Sequence, residues 1–79
     1  MNGKIEVDGK VIDVEVILTF NKNNNDYIVY TDHVLDEYNE ERVLASKYTL
    51  NKDRYVLLGE LNDKDLSIVE KEMEKLING

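Results

Sequence analysis

Residues 11–30 read VIDVEVILTF-NKNNND-YIVY, and the rest of the chain can be placed around them. In the first ten residues Ile12, Val14, Val16, Leu18 and Phe20 share one parity, while Asp13, Glu15 and Thr19 take the other. Successive strand side chains point to opposite faces, so this alternation predicts a strand with one buried and one wetter face. Its β-branched residues suit a pleated, half-buried surface. Two residues break the pattern, because Val11 and Ile17 fall on the nominally wet side. Residues 21–26 form a polar, Asn-rich loop, since Asn tolerates left-handed backbone and bonds its own main chain. The chain then returns as a strand over 27–32, with Ile28 and Tyr30 inward and Val29 outward.

Upstream, residues 4–7 predict a short first strand ending at Asp8-Gly9. That dipeptide supplies the two positive φ angles of a tight hairpin turn. A two-residue turn pairs Val7 with Lys10 and Ile5 with Ile12, which puts both isoleucines on one face. Downstream, residues 33–41 are a polar, acidic connection expected to be mobile, carrying Asp36, Glu37, Glu40 and Glu41. Strands follow at 42–50 and 54–58. A three-residue loop between them would place Tyr48 opposite Val56 and Ser46 opposite Leu58, lining the core with Leu44, Tyr48, Val56 and Leu58. A two-residue loop would swap the partners.

At Gly59 the period changes from two to 3.6. Asn62 reads as an N-cap with Asp65 in the capping-box position, and Asp63 and Asp65 suit the helix dipole. Leu66, Val69, Met73, Leu76 and Ile77 fall within one arc of about 100°, the stripe of a helix over 62–77 lying on a core. Ile68 points the other way, and Asn78-Gly79 is a suitable stop. These elements predict an α+β domain: an antiparallel β-meander of about five short strands (sheet 4–58) with one C-terminal helix packed on one face. The 79 residues make a single domain, 1–79. With no proline, the sheet edges are expected to be guarded by charges such as Lys4, Glu6, Lys47 and Arg54.

The order of elements and several local strings resemble the YrzB-like family of small acidic proteins of Gram-positive bacteria, which carry a domain of unknown function. The matching features are the Asp8-Gly9 hairpin, the strand ending in Thr19-Phe20, and Tyr27-Ile28-Val29-Tyr30. They continue with the acidic connection, the strand pair ending near Tyr55-Val56-Leu57-Leu58, and the acidic terminal helix. The resemblance covers nearly the whole chain as a pattern, and the chain departs from it by lacking prolines near the strand ends. It implies a cytoplasmic bacterial protein without an assigned activity, and it carries over no functional residues.

The net charge is −7, with ten Lys and Arg against seventeen Asp and Glu. Counterion release needs clustered cations, so nucleic acid and anionic membrane are not expected as partners, whereas a basic protein partner suits an acidic surface. There is no cysteine. That excludes disulfides, thiol catalysis and Cys-based metal sites, and it fits a reducing compartment. Met1-Asn2-Gly3-Lys4 does not resemble a signal peptide, and no apolar run reaches the roughly 20 residues that span a bilayer.

His33 is the only histidine. Thr31 is the sole adjacent hydroxyl, and no Gly-rich oxyanion turn accompanies it, so a surface loop histidine is the better reading. One histidine among scattered acids also falls short of a structural zinc site. The pairs Asp36/Glu37 and Glu40/Glu41 read as a solvated loop rather than carboxylates facing across a cleft. Oxygens at Asn21, Asn23, Asn25 and Asp32 only partly follow a calcium loop, which would begin with Asp and contain a turn glycine. The four isolated glycines make no phosphate loop.

The sequence therefore favours a non-enzymatic protein-interaction or regulatory module without a cofactor, acting as a monomer or weak homodimer. The alternative is a small enzyme or divalent-metal-dependent factor using His33 and the acids of 32–41. If Ile12, Val14, Val16 and Leu18 face the core, Val11, Ile17 and Val29 lie on the far face, with Ile17 and Val29 as cross-strand neighbours provided that the Asn-rich loop has five residues. They are the candidate partner contact, against the ordinary alternative of scattered surface apolars.

Overall fold

The structure, a computed structural model, describes residues 1–78. Five strands and one helix follow in order: β1 (Asn2–Val7), β2 (Lys10–Lys22), β3 (Asn25–Leu35), β4 (Glu41–Asn51), β5 (Arg54–Leu57) and α1 (Asp63–Asn78). The helical stop expected at Gly79 lies outside the described residues. Among the described residues no helix is long and apolar enough to cross a membrane.

The three tight turns each contain residues at positive φ. Asp8 and Gly9 sit at +50° and +80°, and β1 pairs with β2 in the expected register, Val7↔Lys10 and Ile5↔Ile12. Asn23 and Asn24 (+53° and +65°) make a second two-residue turn, so β2 and β3 extend further into the Asn-rich segment than the sequence suggests. A third two-residue turn at 52–53 pairs Asn51 with Arg54 and Tyr48 with Leu57. The partners are thus swapped relative to a three-residue loop. Tyr55 and Leu57 face the interior beside Leu44 and Tyr48, while Leu58 is exposed.

The expected open meander is closed into a barrel. β1 returns alongside β5 in parallel, with Ile5↔Tyr55 and Glu6↔Val56. At this seam Gly3 is needed for want of room, since a Cβ there would lie 2.8 Å from Val16 Cγ2 and 3.2 Å from a Tyr55 ring carbon. Glu6 Oε1 lies 2.8 Å from Arg54 Nε as an ion contact rather than an aligned hydrogen bond. Closure removes sheet edges that an open meander leaves exposed, so much of the edge protection assigned to surface charges is supplied by topology.

A bulge in β2 divides the core in two. Val16 pairs with Tyr30 and Leu18 with Val29, leaving Ile17 as the extra residue. An extra residue shifts the alternation by one and bends the strand. Val14 and Val16 therefore fill the barrel with Ile5, Ile28 and Tyr30. Leu18 and Phe20, on the same sequence parity, pass to the outer face beneath α1 with Tyr27, Val29 and Val69. β3 is buried on both faces, and Tyr27, Ile28 and Val29 are all fully enclosed.

This overturns the far-face assignment. Val29 is 0% exposed under the helix, while Val11 and Ile17 remain 49% and 37% exposed. The helix is also turned from its expected seating. Asp65 and Val69 are buried, Ile68 packs against the outer cluster, and Leu66, Leu76 and Ile77 are exposed.

Urea denaturation distinguishes the two face assignments. Val29→Ala is expected to cost about 2 kcal/mol or more, as for an enclosed aliphatic. Val11→Ala is expected to stay within about 0.5 kcal/mol, as at an ordinary surface position.

Candidate interaction groove and its polar clamp

The outer face of the barrel carries a row of side chains set by strand register. Phe20 pairs with Tyr27 across β2 and β3, and Tyr27 pairs with Lys47 across β3 and β4. The Phe20 and Tyr27 rings stack with centroids 5.0 Å apart. Tyr27 and Lys47 both reach α1 at Asp65. The Tyr27 hydroxyl donates to Asp65 Oδ1 at 2.7 Å, and Lys47 Nζ lies 3.2 Å from Oδ2.

Asp65 is also the capping-box acid anticipated from the sequence. Its N–H donates to Asn62 Oδ1 at 2.8 Å, and its Oδ2 accepts the Asn62 N–H at 3.3 Å. These donors hold its carboxyl below the usual range, the Tyr27 hydroxyl contributing most, with opposing desolvation next and then the Asn62 amide and Lys47. The same bond raises the Tyr27 phenol, and burial adds to it. The cap was legible from Asn62 and Asp65, but its reach to Tyr27 and Lys47 was not.

Beside this clamp lies an open groove of about 740 Å³ between α1, β4 and the mouth of the barrel. Its apolar walls include Val7, Val43, Leu57, Leu66 and Met73. The charged residues lining it are Asp8, Glu60 and Glu70, with no lysine or arginine among them. None of these residues carries a site motif in the sequence. The available signal is Leu66, which belongs to the expected core stripe of the helix but is exposed.

The candidate contact residues do not converge. Ile17 occupies the bulge, Val11 lies near the start of β2, and Val29 is enclosed beneath α1 and contributes to the groove floor only. The contiguous patch expected of Val11, Ile17 and Val29 is therefore absent.

The 33–41 connection is also different from expectation. β3 runs on to Leu35 and β4 begins at Glu41, so the two strands pair again as Leu35↔Glu41 beyond an irregularity after Thr31. Asp36 closes the turn: its Oδ1 accepts the Tyr38 and Glu40 amides at 2.8 and 3.0 Å, and its own N–H donates to Glu40 C=O at 2.8 Å.

His33 stands at φ +64° with Nδ1 2.9 Å from Glu41 Oε2 and Nε2 3.8 Å from Glu15 Oε1. Its backbone N–H donates to Thr31 Oγ1. Asp32 is engaged by Arg42, whose Nε donates to both carboxylate oxygens at 3.1 Å, and by the Val34 amide. Hydrogen bonding from Arg42 is the main cause that brings the Asp32 carboxyl down to about 2, against a desolvation effect that raises it. A small open depression of about 300 Å³ adjoins His33, lined also by Asn2, Asp13 and Val14. Among the described residues no group of three or more His, Asp or Glu side chains is placed to hold a metal ion.

No family model, curated protein or solved structure gives a significant match to the chain.

The depressed carboxylates fix a pH dependence. A group whose folded pKa is lowered contributes stability above its unfolded value and loses it as pH falls through the folded one. For Asp32 that window runs from the ordinary carboxylate value of about 3.9 down to about 2. Carboxyl NMR titration is expected to place Asp32 near 2, with Arg42→Gln moving it up towards the ordinary range. Tyr27→Phe is expected to raise the Asp65 pKa and lower Tm at neutral pH, since the carboxylate then loses its main donor.

Proposed function

We propose that the chain is a non-enzymatic docking module whose groove receives an apolar, positively charged segment of a partner protein. One observation carries this reading: an apolar groove whose lining charges are all acidic, on a chain of net charge −7. Apolar contact would supply affinity there, and Asp8, Glu60 and Glu70 would select and steer a cationic partner. The enclosed clamp supports it further, because a wall fixed by Asp65, Tyr27 and Lys47 leaves little to be ordered on binding.

The enzyme reading has less to rest on. Asp36 is engaged in closing a turn and Asp32 in binding Arg42, so neither is free to act on a substrate. The resemblance to the YrzB-like family rests on the order of elements and local strings in the sequence, and it implies a cytoplasmic bacterial setting.

A suitable probe is the acetylated, amidated heptapeptide Lys-Val-Lys-Val-Lys-Val-Lys. It is expected to shift the amide resonances of Val43, Leu57, Leu66 and Met73 saturably, and to bind more weakly as salt is raised. Glu60→Lys combined with Glu70→Lys is expected to weaken it at least about tenfold without lowering Tm, a loss of about 1.4 kcal/mol. Equal binding by the double variant, or shifts confined to other surfaces, would remove the groove from consideration.

A further inference from the structure

β4 is longer than the strand that covers it. It spans Glu41–Asn51, whereas β5 pairs only with residues 48–51, and the last bond along that side runs from Leu58 N–H to Lys47 C=O at 2.9 Å. In an antiparallel pair, the residues that exchange backbone bonds recur at every second position. From the tight turn at 52–53 these are Asn51, Thr49 and then Lys47, so odd-numbered residues of β4 aim their N–H and C=O groups towards β5. Even-numbered Leu44 and Ser46 aim theirs at β3, opposite Tyr30 and Ile28. Val43 and Ala45 continue the odd series past the point where β5 has ended. Among the described residues no strand pairs with them on that side.

The groove runs along this uncovered edge. Val43, Leu44, Ala45 and Ser46 all line it, although Ala45 packs with the helix-side cluster, on the parity Val43 shares, and Leu44 packs with the interior. Consecutive residues of both parities along one cavity fit a space that reaches beside the strand, in the plane of the sheet. The space is bounded on one side by the barrel mouth, at Val7 and Leu57, and on the other by α1, at Leu66 and Met73. An open edge of this kind is a template for pairing with another chain.

We infer that the partner enters as an added β-strand on the Val43–Ala45 edge of β4, its alternate side chains directed to the barrel mouth and to the helix; this rests on the groove being the docking site. Strand addition takes affinity from main-chain bonds and selectivity from pockets for alternate side chains. The occupant is an extended segment of β-branched or aliphatic residues interspersed with Lys or Arg, because the acidic groove residues are Asp8, Glu60 and Glu70. A second copy of this chain is disfavoured as occupant, since two molecules of net charge −7 would bring these acids together.

The experiment uses the full chain, the same heptapeptide, and two derivatives N-methylated either at every Val or at every Lys nitrogen. Methylation removes main-chain donors and leaves the side chains in place. One of the two sets must face β4, so that derivative should bind at least about tenfold more weakly than the parent. The parent peptide should also slow hydrogen exchange at the Val43 and Ala45 amides by about tenfold or more. If both derivatives bind as the parent does, or if the Val43 and Ala45 amides gain no protection, strand addition is wrong while the groove reading stands. If no peptide perturbs the groove, the groove reading fails and takes strand addition with it. Protection of the same amides without peptide, rising with protein concentration, would assign the edge to a second copy and overturn the proposal.

Discussion

Asp65 meets two demands with one side chain. Its carboxylate accepts the Asn62 amide at the start of α1, and it also takes the Tyr27 hydroxyl and faces the Lys47 ammonium of the barrel. A carboxylate in so enclosed a place is costly unless its oxygens are bonded and its charge is balanced. Here both conditions depend on strand register, because Tyr27 and Lys47 are cross-strand neighbours on the helix-facing side of β3 and β4. A slip of one residue in either strand would turn one of them into the barrel. The clamp therefore ties helix placement to sheet register, and each supports the other.

The sequence made the elements legible but not their closure. Asp8-Gly9 and the alternation around it fixed the first hairpin, and Asn62 with Asp65 fixed the start of the helix. Both are local signals, carried by turn chemistry and capping. Barrel closure rests on β1 meeting β5 across some fifty residues, and a single sequence carries no direct mark of such a pairing. The bulge at Ile17 was visible only as a blemish in the pattern. Read as an exposed apolar residue, it implied one continuous buried face. In fact it ends one face and begins another, so Leu18 and Phe20 belong under the helix and Val29 with them.

The groove was hidden for a related reason. Helical periodicity identified an apolar arc on α1 without showing how the helix would be rolled. The arc expected from Leu66, Val69, Met73, Leu76 and Ile77 differs from the buried one by roughly 60° at 100° per residue. Asp65 supplies the cause, since drawing its carboxylate to Tyr27 and Lys47 rolls Ile68 towards the sheet and Leu66 away from it. The apolar stripe is thus divided between fold and groove. Val69 and Met73 pack on the barrel, and Leu66 lines the groove and is 45% exposed.

The uncovered edge and the helix have a common origin in the stretch after β5. Gly59 stands at φ +92° and turns the chain out of the sheet, while its carbonyl accepts the Ser46 hydroxyl at 3.2 Å. From there Glu60 and Leu61 lead to the Asn62 cap. The chain cannot both continue as a strand along Val43 and Ala45 and rise to place Asp65 over Tyr27. A longer β5 would cover that edge of β4 and leave α1 without its anchor. The anchored helix instead leaves a few residues of β4 uncovered on one side, with apolar residues and three acids lining the groove there. Such an edge would ordinarily invite aggregation. On the docking proposal, the helix and barrel mouth beside it would limit it to an extended segment, and Asp8, Glu60 and Glu70 would favour a basic one.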